Sequence, residues 1–532
     1  MATVTVARGT SEPRTVANVI ASAAQRWPDR DAVIVDGAHL TYRELLDRVT
    51  HFRGILRALG LRKGDALLVM LDNCVEFVDV FAACGMEGVL QVPVNTEYRG
   101  NLLRHAVEVS GARVMLVDSS YADRLDALAP FSTLEHVVYV GDPVTLESGL
   151  TTSALTAIAS APVDEDVTIR ECDPVAIMYT SGTTGPSKGV LVANRHAFQY
   201  ASAASNVIEL GEGDVYYAPL PLFHIAGQWA MLYASWINGA TAVVKRKFSV
   251  HEFWDDVRQH GATTTFLLGA MAQFLYALPA DGHENDNPME RVLMVPLVAD
   301  LEGFRKRFRV RVTTCYGSTD VNVPIMSSFD VTDPTVAGTP VPGYQVRLVD
   351  EDDNDVPDGE VGELCVRPPE PWMTLIEYIG NPEATAQAHR NLWLHSGDMF
   401  RCDGNGEYHF VDRLKDAIRR RGENISSYEV ESEVNAHPAV AESAAIAVPS
   451  QHTEDELGVV VVPRQGMSVD EKELREFVAA RAPKFMVPDA IWVIDAMPKT
   501  PTGKIQKHEL RARFAPQRDR QASLRKQATD TG

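Results

Sequence analysis

Residues 179–189 read Tyr179-Thr180-Ser181-Gly182-Thr183-Thr184-Gly185-Pro186-Ser187-Lys188-Gly189. The run lies between two apolar stretches, Val175-Ala176-Ile177-Met178 and Val190-Leu191-Val192, that read as buried strands. Glycines let the backbone approach an anion closely, and successive amides form a concave donor nest. The Ser and Thr hydroxyls add donors and Lys188 adds positive charge. The guest that suits this chemistry is a polyphosphate. The loop is not a Walker A motif, which needs Gly-Lys followed by Ser or Thr at the head of a helix. Here Lys188 runs into Gly189 and a β-branched apolar stretch, which argues against a P-loop kinase or GTPase.

Five more stretches carry polar chemistry, and one apolar loop carries a histidine. Tyr316-Gly317-Ser318-Thr319-Asp320 follows the strand-like Val312-Thr313-Thr314 and ends a turn in a carboxylate. His395-Ser396-Gly397-Asp398 presents a second carboxylate, whose two oxygens can accept from paired hydroxyls. Pro498-Lys499-Thr500-Pro501-Thr502-Gly503-Lys504 sets a lysine on a stiff loop tip. Asp412-Arg413-Leu414-Lys415-Asp416 and Arg419-Arg420-Arg421-Gly422 are charge runs, which by composition read as solvated loops. His224 stands on the apolar loop Tyr216–Gly227, where a lone histidine reads as a core residue.

The glycine-rich loop resembles the phosphate loop of the adenylate-forming superfamily of acyl-CoA synthetases, luciferases and peptide-synthetase adenylation domains. The other stretches extend that resemblance along nearly the whole chain. The branch it most resembles holds crotonobetaine/carnitine-CoA ligases. The resemblance implies that Thr180, Ser181, Gly182, Thr183, Thr184, Gly185 and Lys188 bind nucleotide phosphates. It implies that Tyr316 stacks on adenine, and that Gly317, Ser318 and Thr319 line the nucleotide and substrate carboxylate. Asp398 would accept both ribose hydroxyls, and Arg413 would contact ribose. Lys504 would bridge the substrate carboxylate and the α-phosphate, offsetting charge in the transition state. Lys504, Thr184, Asp320 and His224 form the implied catalytic set. Lys415 would be a hinge about which a small domain swings between two half-reactions. Gly422 would let pantetheine pass bare backbone, and Arg420 and Arg421 would meet coenzyme A phosphates. His224, Gly227, Trp229, Gly269 and Ala270 would wall the acyl pocket, with Trp236, Phe266 and Met271 as further candidates.

Two departures stand out. The acid that closes the Tyr316 turn and helps hold magnesium is usually glutamate in the family; here it is Asp320, one methylene shorter. Mg2+ wants near-ideal octahedral geometry at about 2.0–2.1 Å. A retracted carboxylate therefore acts through water, with or without effect on rate, or draws the backbone after it. Adenylation needs the metal for the departing pyrophosphate, whereas thioester formation does not. Where the rate is affected, adenylation is the step expected to weaken, and in the limit the chain is a mainly thioesterifying enzyme fed with preformed acyl-adenylate by a separate adenylating enzyme. The second departure is Met294-Val295-Pro296-Leu297-Val298-Ala299-Asp300, where many members have a small, glycine-rich run.

Positioning these residues takes a large α/β frame. Residues 15 to about 60 read as helical, with a capping box at Thr41-Tyr42-Arg43-Glu44 and a stop at Gly60. Strand-like 66–71, helical 75–88 and strand-like 90–94, 113–117 and 136–140 follow. Strands separated by helices imply parallel-rich sheets covered by helices. Asp403-Gly404-Asn405-Gly406 reads as a hairpin turn. The expected division is a large N-terminal AMP-binding domain over 1–412, a hinge over 413–416 and a small α+β domain over 417–532, with a disordered tail from about 516.

At 532 residues the chain has room for more than one domain. Fifty basic against 72 acidic residues give a net charge of −22, which argues against nucleic acid and anionic membranes as partners. The six cysteines have no zinc or C-x-x-C spacing, and the first 14 residues lack an apolar signal core, so a cytoplasmic setting is expected. No apolar run has membrane-spanning length. The function expected is an acyl-CoA ligase taking a hydrophobic carboxylic acid, ATP, Mg2+ and coenzyme A through an acyl-adenylate. The alternatives are a stand-alone adenylation enzyme that loads a carrier protein in trans, a luciferase-like activity and a silent nucleotide-binding protein.

Overall fold

The computed structural model describes residues 14–126, 128–180, 188–280, 282–413, 418–420, 423–425, 427–448, 456–482, 486–499, 505–507 and 509–514. The chain forms two compact units. One is built from residues up to 180, 186–346 and 366–394; the other holds 347–365 and 395 onward.

The first unit contains two large sheets. In one, strands Leu90–Pro93, Ala66–Met70, Val114–Asp118, His136–Val140 and Thr151–Ala154 run parallel. Pro174–Thr180 joins that sheet beside Leu90–Pro93, and Lys188–Ala193 and Glu377–Tyr378 add antiparallel strands at its edge. In the other, Arg311–Thr313, Arg291–Val295, Thr264–Leu268, Val215–Ala218, Thr241–Val244 and Asp31–Val35 lie parallel. The near-continuous apolar runs of these strands suit sheets buried on both faces. Leu68, Met70, Val92, Met115, Val117 and Val137 are fully buried in one such core.

The segment expected to be one long helical region is interrupted. Helix Val16–Arg26 is followed by the hairpin Asp31–Val35/Ala38–Thr41, and only then by helix Tyr42–Ala58. The reason is Asp36-Gly37, both left-handed at φ 49° and 78°. Asp-Gly in that conformation is the turn that matches strand twist. The β-branched Val33-Ile34-Val35 then prefers pairing to helix. The capping box forms as read: Thr41 Oγ1 accepts from the Glu44 amide at 3.2 Å, and Glu44 Oε2 accepts from the Thr41 amide at 2.9 Å.

In the second unit, strands Leu394–Cys402 and Tyr408–Arg413 form the expected hairpin about Asp403–Gly406. Beyond it, helices Ser427–Asn435 and Glu471–Ala479 accompany the sheet Val440–Val448, Glu456–Pro463, Ala490–Val493. Ile418, Ile425, Val430, Val434, Val459 and Leu474 are buried together there, giving this α+β part a core of its own.

Candidate active site

Strands Pro174–Thr180 and Lys188–Ala193 are antiparallel partners, with Thr180 opposite Lys188 and Tyr179 opposite Gly189. The two ends of the glycine-rich loop are thereby brought together at one strand end. Ser181, Gly182, Thr183, Thr184 and Gly185 lie outside the described residues. The incoming strand is anchored by Asp173. Its carboxylate accepts from Lys63 Nζ at 2.5 Å and from the Arg170 amide and Nη2, both at 2.8 Å. Burial pushes this carboxyl up, but the Lys63 and Arg170 hydrogen bonds outweigh it and hold it down at about 2. The outgoing strand gains a short antiparallel neighbour, with Tyr378 opposite Val190 and Glu377 opposite Leu191. The Ile376 and Ile379 amides, either side of that strand, donate to the Leu191 and Gly189 carbonyls at 2.8 Å each. Lys188 Nζ sits over the Tyr378 ring, 4.3 Å from its centroid.

The second constellation forms a strand-turn-strand. Cys315–Ser318 pairs with Asn322–Met326, with Tyr316 opposite Ile325 and Ser318 opposite Asn322. Gly317 lies at the irregularity, where a Cβ would come within 2.7 Å of the Asn322 carbonyl oxygen. The Ser318 hydroxyl accepts from the Asp320 and Val321 amides, both at 3.3 Å, which closes the turn. Thr319 and Tyr316 are buried, and Asp320 is half-buried. The Asp320 carbonyl accepts from the Leu375 amide at 2.9 Å. Asn322, left-handed at φ 70°, donates through Nδ2 to the Met373 and His196 carbonyls, both at 3.0 Å. The Tyr378 hydroxyl lies beside the Asp320 carboxylate; burial, then the Asp320 charge, push the phenol pKa far up, so it stays protonated.

Around His224 the chain takes an unusual form. Ala226–Tyr233 is a π-helix, a wide helix found mostly as short bulges and often at functional sites. His224 Nδ1 accepts from the Ala226 amide at 3.2 Å, which fixes that nitrogen as the unprotonated one. Gly227 is needed for packing, because a Cβ there would fall 2.3 Å from the Pro221 carbonyl oxygen. Trp229 is fully buried against the rings of His196 and Tyr200, at 5.8 and 6.0 Å. Burial holds the His196 imidazole down at about 4, so it is neutral. Trp236 stacks on Phe81 at 5.5 Å inside the core. Gly269 opens helix Gly269–Ala277 with its missing Cβ directed at the Pro296 carbonyl, at 2.8 Å, while Ala270 is exposed. The bulk of Met294, Leu297 and Val298 is buried.

In the second unit, Asp398 lies in strand Leu394–Cys402, opposite Arg413 of Tyr408–Arg413. Its turn is held by Glu363. One Glu363 oxygen accepts from the Gly397 amide at 3.0 Å, and the other meets His395 Nδ1 at 2.9 Å. Gly397 is left-handed at φ 73°, and Ser396 Oγ accepts from the Asp398 amide at 3.1 Å. Cys365 Sγ adjoins the same imidazole at 3.2 Å. Among the described residues Glu363, Cys365 and His395 are the group whose metal-ligating atoms converge, within 4.8 Å, but hydrogen bonding accounts for the carboxylate and the imidazole. Glu363 was legible only as part of a turn-rich stretch; the signal for more was a carboxylate at an inward strand position. Arg420 ends strand Ile418–Arg420. Lys415, Arg421, Gly422 and Lys504 lie outside the described residues.

Residues 20–375, bearing both constellations of the first unit, match the family described as AMP-binding enzyme. The chain belongs to the AMP-binding enzyme family. Residues 429–504 match the AMP-binding enzyme C-terminal domain. Among curated proteins, a fatty acid–[acyl-carrier-protein] ligase, ScoC of Streptomyces coeruleorubidus, is 29% identical over 92% of this chain and 95% of its own. The crotonobetaine/carnitine–CoA ligase of Citrobacter koseri is also 29% identical, over 92% of this chain and 97% of its own. Among solved structures, the anthranilate CoA ligase AuaEII shares the fold at TM-score 0.85, with 23% identity over 94% of this chain and 96% of its own. The Bacillus subtilis o-succinylbenzoate CoA synthetase with its acyl-adenylate gives TM-score 0.81 at 26% identity, over 94% and 98%. This AMP-binding enzyme is thus an AMP-forming acid–thiol ligase with the α/β fold and separate small C-terminal domain of adenylate-forming enzymes. Such enzymes bind ATP or AMP with magnesium; an ATP- and magnesium-bound synthetase is among the neighbours. Among the described residues no helix is long and apolar enough to cross a membrane.

Proposed function

We propose that this enzyme activates a hydrophobic carboxylic acid as its acyl-adenylate and passes the acyl group to coenzyme A. What supports the reading most is one juxtaposition. Lys188, at the end of the glycine-rich loop, and Asp320, at the end of the adenine-side turn, both meet Tyr378. A cation for phosphate and an oxygen donor for a hard metal thus share one edge.

In this reading the substrate carboxylate attacks the α-phosphorus of ATP, and pyrophosphate leaves. Thr180–Gly185 and Lys188 cradle the phosphates, Tyr316 stacks on adenine, and Ser318 and Thr319 face the reacting carboxylate. Asp398 and Arg413 hold ribose, and Lys504 places an ammonium against the charge gathering on the α-phosphate. The donors near the turn are all oxygen, a carboxylate and hydroxyls, which fits Mg2+. Magnesium, when bound, neutralises charge on the departing pyrophosphate. Asp320 would hold it directly or through water. The small C-terminal domain, beginning after a hinge at 413–416, then turns about Lys415. Gly422 admits pantetheine, Arg420 and Arg421 meet coenzyme A phosphates, and the thiolate displaces AMP. His224, Gly227, Trp229, Gly269 and Ala270 bound the acyl chain; the burial of Trp229 and the Cβ-free fit of Gly227 and Gly269 make that wall rigid. All six cysteines are free thiols, which suits a reducing, cytoplasmic setting.

The shortened acid makes adenylation the weaker half-reaction. In the limit the enzyme takes preformed acyl-adenylate from another protein. A second acceptor, a carrier protein acting in trans, is favoured by one observation: a 29% identical relative is a fatty acid–carrier-protein ligase. The deciding experiment is a panel of carboxylic acids scored separately for pyrophosphate exchange and for thioester formed on coenzyme A or on carrier protein. Thioester on coenzyme A supports the reading; thioester on carrier protein alone replaces it with the second.

A further inference from the structure

Segment 373–379 is tied to both halves of the nucleotide site in the first unit. On one side it pairs with the strand leaving the glycine-rich loop, through Tyr378 opposite Val190 and the flanking Ile376 and Ile379 amides. On the other, the Leu375 amide donates to the Asp320 carbonyl at 2.9 Å and the Met373 carbonyl accepts from Asn322 at 3.0 Å. Lys188 is two residues before Val190, so it lies on the same sheet face as Tyr378, at the diagonal position. That diagonal is close enough for a long side chain to lie on an aromatic ring, and Lys188 Nζ does so at 4.3 Å. The hydroxyl at the far end of the same ring lies beside the Asp320 carboxylate, within reach of a hydrogen bond to it.

We propose that Tyr378 is a positioning residue for adenylation, its ring setting the Lys188 ammonium and its hydroxyl orienting the Asp320 carboxylate toward the metal. This rests on the functional reading above. A tyrosine is rigid, with two side-chain torsions, so it fixes the spacing between a phosphate-binding cation and a metal-binding acid. The hydroxyl engages one part of the carboxylate and leaves acceptor capacity for a hard cation. The role matters more for aspartate than for glutamate. A shorter carboxylate stays within reach of the ring, whereas a longer one extends past it. Tyr378 thus offsets part of what the missing methylene costs.

The test is Tyr378→Phe, which keeps the ring under Lys188 and removes the hydroxyl. Two readouts are compared: Mn2+ binding to the full-length enzyme with ATP, followed by electron paramagnetic resonance, and the Mg2+ dependence of pyrophosphate exchange. The variant should need about tenfold more of either metal for half-saturation, the effect of one hydrogen bond to a charged group. Thioester formation from supplied acyl-adenylate should change by no more than about twofold, because that step does not use Asp320. In an Asp320→Glu background the same substitution should have a clearly smaller effect on metal affinity. Unchanged metal affinity in Tyr378→Phe would overturn the proposal, as would equal loss in both half-reactions. If Tyr378→Phe melts markedly lower, the wild-type and Asp320→Glu proteins still decide. The proposal requires their metal affinities to differ by less than the hydroxyl accounts for, and a larger gap refutes it. Mn2+–ATP binding needs no acid, so absence of exchange with every acid counts against the functional reading while the Mn2+ titration still judges Tyr378.

Discussion

At Asp320 a single methylene decides how far a carboxylate reaches, and its surroundings say how much that costs. The turn is closed by Ser318 Oγ and pinned by Leu375, so the backbone is not at liberty to follow the side chain outward. Of the outcomes open at the sequence level, movement of the backbone is the one these bonds oppose. A carboxylate that reaches a metal through water binds it less tightly than one in direct contact. Asp320→Glu should therefore raise pyrophosphate exchange at limiting Mg2+ by several-fold, on the order of 1 kcal/mol, and leave thioester formation from supplied adenylate nearly unchanged. A fall in exchange would show that the site is built around aspartate.

At the scale of elements, the strand that enters the phosphate loop owes its placement to a few polar anchors. Asp173 takes up Lys63 and Arg170 on its side chain, and its carbonyl accepts from the Asn194 amide and Nδ2, each at 3.0 Å. Its carboxyl pKa is depressed in the folded state, to about 2 from an ordinary 3.8. The stabilisation is therefore complete above the unfolded value and is lost as pH falls from about 4 through about 2. Asp173→Asn should lower stability at pH 7 by about 2 kcal/mol, a gap that narrows as pH falls through that window. Denaturant unfolding at pH 7, 4 and 3 checks this; no gap at pH 7 would mean the anchor contributes nothing. Much of this level was legible beforehand. Apolar runs such as Ala66–Met70 and His136–Val140 announced strands because nothing polar competes for them. The 31–41 hairpin was missed because helical periodicity on either side masked an Asp-Gly turn. The π-helix was invisible because Ala226–Tyr233 is buried on every side, leaving no amphipathic period to read. Tyr378 was missed for another reason. Its strand is two residues long, and its partners lie 58 and 190 positions away, so only folding brings them together.

Across the whole molecule, the proposed mechanism gives the two half-reactions to different residues of the C-terminal part. Lys504→Ala should suppress adenylation by about 100-fold, the scale of losing a preorganised charge in the transition state, while sparing conversion of supplied adenylate to thioester. Gly422→Leu should do the reverse by filling the pantetheine path. Measuring both half-reactions in both variants checks the assignment, and parallel losses in the two would contradict it. This division was expected from the resemblance alone, carried by the short motifs around Gly503-Lys504 and Gly422, which need no tertiary context to be matched. The acid was not legible, since the wall candidates come from separate segments, His224 and Trp229 from one and Gly269 from another, and differ in exposure.

In the proposed reaction a carboxylate oxygen attacks the α-phosphorus of ATP. Turnover of an acid labelled with 18O in its carboxylate, with ATP, Mg2+ and coenzyme A, tests it directly by mass spectrometry of the products. One labelled oxygen in AMP for each thioester formed is the expected result. Label in inorganic phosphate, with ADP as the nucleotide product, would contradict it.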